Sequence, residues 1–457
     1  MPAVPPNSPA LTDIVAGYVV NTKFESMSPD VVHKTKLHIR DGIGNQLGAS
    51  SMERLPAKIM LDLVRSWGGA EQATVVGYGD RVPVAHAAMV NSMLGHGIEL
   101  DDSHADALTK SGASVIPSVM AVAEFAGADE ETVIVAAAIA YDVMARIGLA
   151  INPSHRKRGY HTSGTVAPFA TAAAAAKILG LDQQQVRWAL GLAGMQAAGI
   201  QAFLDDPCMA KPFSPGKGAF NGVLAALLAS RGYTGPQYVL EGKEGFLNAY
   251  ADEVDTDRIT DGLGESFKVM EMAFKPHAAC RFAHGPIDLA QSVFEEENLR
   301  PADLVSVTVG LCELAERQSG RSEVTNLNSA MGSTPFSVAV ALHRGKNGLA
   351  DYREAFEMDA IHELGRSVRL EVKPEYGTMG RGADIRIETK DGRIIERSVT
   401  GPRGEPDIPL SDEELEEKFL GLAVLGVGEE KAKVANEHLM MLGSGGSLTA
   451  IRESIIR

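Results

Sequence analysis

Residues 275–284 read KPHAACRFAH, and they place Lys275, His277, Cys280, Arg281 and His284 within ten positions. Two cationic side chains, two imidazoles and a thiol sit where the pattern of the chain changes. Upstream the sequence is a succession of helix-period segments rich in Ala and Gly. Downstream, LVSVTVGLC (304–312) alternates as a strand, and ADIRIETKDGRIIERSVT (383–400) reads as a hairpin turning at Asp391-Gly392. A reactive cluster at such a change suits a cleft between two domains, where ligands commonly bind. It also suits a helix start carrying surface charges and one buried Cys.

Working upstream, helices are predicted over Leu11–Val20, Ser28–Ser50, Arg54–Trp67 and residues 84–97, with Ser28 as an N-cap before Pro29. Residues 72–81 read as a short ribbon. Further helices are predicted over Ile116–Ala126, Glu131–Ala150, Val166–Leu179, from Asp182 to Gly194, and Asn221–Arg231. Residues 1–10 are Pro-rich and read as a loose start. Three polar loops interrupt the apolar helices, at 96–114, 152–164 and 202–220. A helical domain that gathers its loops at one end would bring them together.

Downstream, helices over 333–345 and 350–364 between strands 304–312, 369–374 and 383–400 make a small α+β domain. Ser411 and Glu414 form a capping-box pattern opening a final helical stretch expected to return to the first domain. The expected organisation is mostly α: an all-helical domain over 1–272, an inserted α+β lid over 273–405, and C-terminal helices over 406–457.

The chain has 457 residues, 45% of them apolar, and a net charge of −16. That balance argues against a nucleic-acid partner, because phosphate binding needs a basic face. No apolar run reaches membrane-spanning length without polar interruption, so no membrane partner is expected. Cys208, Cys280 and Cys312 are too few and scattered for a disulfide framework or a metal site. The N-terminus does not read as a signal peptide, and a cytoplasmic location is expected.

The first polar loop carries His96, Glu99, Asp101, Asp102, His104 and Asp106. Its spacing matches no common metal motif, so no metal is expected there. One acid could act as a base or orient a cation, or the loop could be a solvated acidic turn with an Asp capping a helix. The second loop sets Tyr160 and His161 before Thr162-Ser163-Gly164 and a helix start, where backbone N–H groups favour an anion. The third carries Lys211 and Lys217 without Walker spacing. A dinucleotide fingerprint and a Gly-x-Ser-x-Gly elbow are both absent from the sequence. Cations, imidazoles and carboxylates without a cofactor motif suit removal of a proton α to a carboxylate, with the enediolate stabilised by the cations.

The stretches HGIELDDSH, GYHTSGTVAPFATAAAAAKILGL, MAKPFSPGKGAFNGVLAALLASRGYTGP, FKPHAACRFAHGPID and PLSDEELEEKF occur in the order of the MmgE/PrpD family, which this chain resembles over most of its length. The resemblance implies an all-helical domain with an inserted α+β lid, a homodimer, and cofactor-independent lyase or isomerase chemistry on a small anionic substrate. Activities in that family include dehydration of 2-methylcitrate, decarboxylation of cis-aconitate and epimerisation of iminodisuccinate. By position it implies catalytic roles for His161, Lys211, Lys275, Asp101 and Asp102, with Glu99, Lys110, Tyr160, Cys280, Arg281 and His284 on the substrate.

His161 is the expected acid–base group. Lys211, Lys275 and Arg281 are expected on carboxylates, and Asp101 or Asp102 orients a cation. Glu99 replaces a common Asp. Thr109, followed by Lys110, and Cys280 stand where decarboxylase-like members carry His. The expected reaction is therefore elimination of water, with epimerisation through the same enediolate as the alternative; decarboxylation and non-catalytic acid binding rank below both.

Overall fold

The structure is a computed structural model that describes residues 10–52, 55–205, 208–297 and 299–457. The loose start expected over residues 1–9 and the predicted helix start at Arg54 lie outside the described residues. The chain divides into two compact units. The first runs to Gly97, then covers Asp101–Ala273 and Asp412–Arg457. The second comprises Ile98–Leu100 and Phe274–Ser411.

The first unit is helical, apart from a two-strand ribbon of Ala73–Thr74 and Arg81–Val82. Its helices start where side chains satisfy free N–H groups. Ser28 Oγ accepts from Val31 N at 3.3 Å and Asp129 from Thr132 N at 2.7 Å. Asp182 and Gln185 cap each other reciprocally. Glu130–Ile151 is long and apolar enough to cross a membrane, yet 94% of its apolar window is buried inside the protein, as befits a core helix.

Arg146 on that helix is buried. It binds Asp142 at 3.1 Å and donates to the carbonyls of Asp261 (2.6 Å), Gly262 (3.1 Å) and Ser266 (2.7 Å). A buried guanidinium with that many acceptors holds the irregular segment before residue 273 to the core. The C-terminal helix Asp412–Val427 lies along Pro29–Ser50, where Lys418 meets Asp41 at 2.6 Å.

One predicted loop ends in helix. The expectation of a loop to residue 220 and a helix from Asn221 gives way to a helix over Phe213–Ala229. Its glycines are contact points. A Cβ on Gly218 would strike Ala167, and one on Gly222 would overlap Thr171 Oγ1 and the Pro168 carbonyl. The Ala-rich helix Ala167–Ile178 thus approaches backbone to backbone, which only glycine allows. The helix predicted from Ile116 starts at Gly112, the loop at 152–164 contains a turn of helix at Ser154–Lys157, and the helix predicted over 350–364 is two, Leu349–Phe356 and Asp359–Ser367.

The second unit holds a four-stranded sheet in the order Arg369–Val372, Leu304–Leu311, Ala383–Thr389, Ile394–Val399. The first pair is parallel and the others antiparallel, with Val309 opposite Ile385 and Ile387 opposite Ile395. Ala383, Ile385, Ile387 and Thr389 are buried while Asp384, Arg386 and Glu388 are half-buried, the alternation of a sheet covered on one face. The helix His284–Glu297 lies on that sheet.

Candidate active site

In the first unit the acidic loop turns inward. Asp102 is 2% exposed and accepts from Tyr141 Oη at 2.6 Å and from Gly112 N at 2.8 Å, and it lies 2.8 Å from His38 Nδ1. It therefore caps the helix Gly112–Ala126 from ten residues away and ties it to Pro29–Ser50 and Glu130–Ile151. Burial raises the Tyr141 pKa well above the usual phenol value, with the Asp102 charge adding to it. Burial also lowers the His38 pKa, against the pull of Asp102. His38 and Tyr141 were not singled out from sequence. The available signal was the polar spacing Lys34, His38, Asp41 along one helix face.

Asp101, 2% exposed, takes His96 Nδ1 at 2.8 Å. The two adjacent aspartates thus each hold a different imidazole.

His161 precedes the helical turn Thr162–Thr165. Its backbone N–H donates to Gly199 O at 3.0 Å and its ring meets Phe203 edge-on at 5.1 Å. Nδ1 is buried and has no hydrogen-bond partner among the described residues. The pKa is pushed well below the usual imidazole value, first by burial and then by the charges of His96, Lys211, Arg156 and Lys110. His161 is therefore neutral near pH 7 and surrounded by cations. The loop carrying it is braced by His155, which stacks on Tyr160 at 4.9 Å, accepts or donates at Thr165 Oγ1 (2.8 Å) and meets Tyr250 O at 3.0 Å. Tyr160, expected at the substrate, has its ring in this stack and against Tyr250.

Two close approaches bring these elements together. A Cβ on Gly216 would strike Met93 Cγ, one turn before His96, and a Cβ on Gly164 would touch Ser214. The start of the helix Phe213–Ala229, just after Lys211, therefore sits between the end of Val84–His96 and the turn after His161. Lys110 lies two residues before Gly112 and its Asp102 cap.

In the second unit Lys275 is fully buried and donates to the Glu99 carbonyl at 2.8 Å, with the Glu99 carboxylate at 3.4 Å. Glu99 adopts φ +54, a left-handed backbone that a non-glycine residue occupies at a cost of about 1–3 kcal/mol and that concentrates at functional sites.

Arg281 and His284, expected on the substrate, spend their hydrogen bonds inside the protein. Arg281 binds Glu405 at 2.8 and 3.1 Å, Arg403 O at 3.1 Å, Phe274 O at 3.4 Å and His284 Nδ1 at 3.2 Å. Burial lowers its pKa to about 10. His284 Nε2 is taken by Ala279 O at 3.2 Å, and burial drives its pKa well down. These two residues fasten the 275–284 segment to the strand-following turn near Glu405. Cys280 is half-buried, and its backbone N–H donates to Met331 O at 2.9 Å. Among the described residues no group of three or more His, Cys, Asp or Glu is arranged to hold a metal.

A family model described as the MmgE/PrpD N-terminal domain matches residues 13–258, and one described as the MmgE/PrpD C-terminal domain matches residues 277–441. The chain belongs to the MmgE/PrpD family. Its curated relatives include a cis-aconitate decarboxylase of Aspergillus terreus strain NIH 2624, 27% identical over 97% of this chain and 95% of the relative. A second from Aspergillus terreus is 28% identical over 94% and 93%. The Homo sapiens cis-aconitate decarboxylase is 26% identical over 90% of this chain and 87% of its own length.

Proposed function

We propose that this protein is a lyase that removes a proton α to a carboxylate of a di- or tricarboxylic acid and then eliminates water. The observation that carries the reading is His161, a neutral imidazole held among cationic side chains. A neutral imidazole can take a proton, and Lys211 and Lys110 supply positive charge for the substrate carboxylates and the enediolate. A polyanionic substrate also offsets the cations that depress His161, so binding strengthens the base. No step in this reading requires a cofactor.

Decarboxylation is the second reading, favoured by the names of the relatives. Thr109 and Cys280 place a hydroxyl and a thiol where that reading would want proton-carrying imidazoles, which is why elimination of water ranks first. The proposed assembly is a homodimer, supported by the exposed apolar stripe Ile59, Leu63 and Trp67 on one helix face. A sedimentation mass near the 48.4 kDa of one chain would refute that assembly.

The test is proton NMR of the purified protein in deuterated water with citrate, 2-methylcitrate, cis-aconitate and iminodisuccinate. Loss of the α-proton signal with a new alkene signal supports elimination. Loss of a carboxylate with a shifted alkene signal supports decarboxylation. Deuterium uptake on an unchanged skeleton identifies an epimerase and refutes both.

A further inference from the structure

His96 is a buried imidazole to which the reading above gives no part. It closes the helix Val84–His96 and is 1% exposed. Nδ1 is 2.8 Å from Asp101 Oδ2. Nε2 is buried and has no hydrogen-bond partner among the described residues. Leaving a buried polar nitrogen unsatisfied is costly, since its lost hydration is not replaced. His155, buried in the same unit, uses both ring nitrogens within the protein. Half-satisfied imidazoles in this unit include His96 and His161, and their elements converge on the start of the helix Phe213–Ala229, through Met93 against Gly216 and Gly164 against Ser214. These elements meet just after Lys211, and partnerless nitrogens carried on two of them suit a ligand held there.

We propose that His96, positioned by Asp101, is the second proton-transferring group of the site and delivers the proton that the leaving hydroxyl requires. The inference rests on the elimination reading. His161 takes the α-proton: the C–H bond breaks and its electron pair stays on the substrate as the enediolate. That pair then forms the C=C bond as the C–O bond breaks. The departing hydroxyl takes a proton from Nε2 of His96 and leaves as water. Asp101 accepts the Nδ1–H throughout, which fixes the tautomer and balances the imidazolium charge. The two imidazoles have then exchanged protonation states, and proton exchange with solvent resets them. Asp101 acts as a positioning residue.

The test uses the full-length protein and whichever panel acid the wild type converts. His96→Gln keeps an amide whose N–H can meet Asp101 but has no proton acidic enough to transfer. It is expected to retain solvent deuterium exchange at the α-carbon within a few-fold while alkene formation falls by about 100-fold or more, the usual share of a general acid. His161→Gln is expected to lose both. Alkene formation within about threefold of wild type in His96→Gln overturns the proposal, as does parallel loss of exchange and alkene in a folded variant.

A second measurement needs no variant. In wild-type protein with nitrogen-15 histidine, citrate is expected to move the Nε2 signal of His96. An unmoved signal with citrate bound elsewhere overturns the proposal. Absence of both exchange and binding with every acid refutes the polycarboxylate reading, and the proposal with it. Normal exchange and turnover with an indifferent His96→Gln refutes the proposal alone.

Discussion

Acidification should unlock the loop that carries His161, and His155 sets the size of the effect. This imidazole is fully buried, and burial lowers its pKa to about 4. An unfolded histidine titrates near 6.5. The folded value lies below the unfolded one, so the fold favours the neutral ring. Its contribution is complete above about pH 6.5 and is lost as pH falls through about 4, because the unfolded chain binds the proton first. A shift of about 2.5 units is worth roughly 3.4 kcal/mol, of which roughly 2.5 is gone by pH 4.5.

His155→Gln removes the titration. Denaturant unfolding of both proteins between about pH 7 and 4.5 isolates it, since the other histidines contribute equally to each. The variant is expected to be less stable at pH 7, having lost contacts to Thr165 and Tyr250, and to lose roughly 2 kcal/mol less on acidification. Stability curves that stay parallel over that range would refute the reasoning, and would mean that the His155 side chain is already wet in the native state.

Lys275→Met should cost about 3 kcal/mol or more, because it removes the buried cation 3.4 Å from the Glu99 carboxylate; calorimetry of the single variant and of Lys275→Met with Glu99→Gln checks it, the second change recovering part of the loss. Tyr141→Phe should cost about 1.5–3 kcal/mol by removing the 2.6 Å bond to Asp102, read by denaturant unfolding; no change would mean that water replaces the hydroxyl. Gly222→Ala should destabilise by about 1–3 kcal/mol through overlap with Thr171 and Pro168, while Gly421→Ala, with open space around it on a helix, should stabilise by about 0.5–1 kcal/mol; paired thermal melts decide both. On a converted substrate, the acidic limb of kcat should titrate at higher pH than that of kcat/KM, since bound carboxylates offset the cations that depress His161; coincident limbs would sever the link between substrate charge and that imidazole.

The helical unit and the hairpin at Asp391-Gly392 were readable because period and turn chemistry are local. The helix Phe213–Ala229 was misread for a physical reason. Gly216, Gly218 and Gly222 look like turn residues until Met93, Ala167 and Thr171 are seen against them. Local sequence cannot separate a glycine that bends the backbone from one that admits a neighbour. The same limit governs Arg281. Its place in a cationic cluster suggested a carboxylate ligand, but the carboxylate it meets is Glu405, more than a hundred residues further along the chain. Charge type was legible; the identity of the partner was not. His38 and Tyr141 were missed because each reads as an ordinary helix residue until Asp102 folds onto both.

These misreadings share a direction that bears on function. Arg281 and His284, the most conspicuous groups in the sequence, are the ones the protein satisfies most completely. Buried imidazole nitrogens left without a partner among the described residues include those of quieter groups, His161 after its Gly-Tyr turn and His96 at a helix end. A folded chain has strong reason to pair every buried polar atom, since each unpaired one costs about as much as a lost hydrogen bond. Partnerless buried imidazole nitrogens in this unit also include His86 Nδ1 and His438 Nδ1, so they mark a reacting site only where cationic side chains gather around them, as at His161.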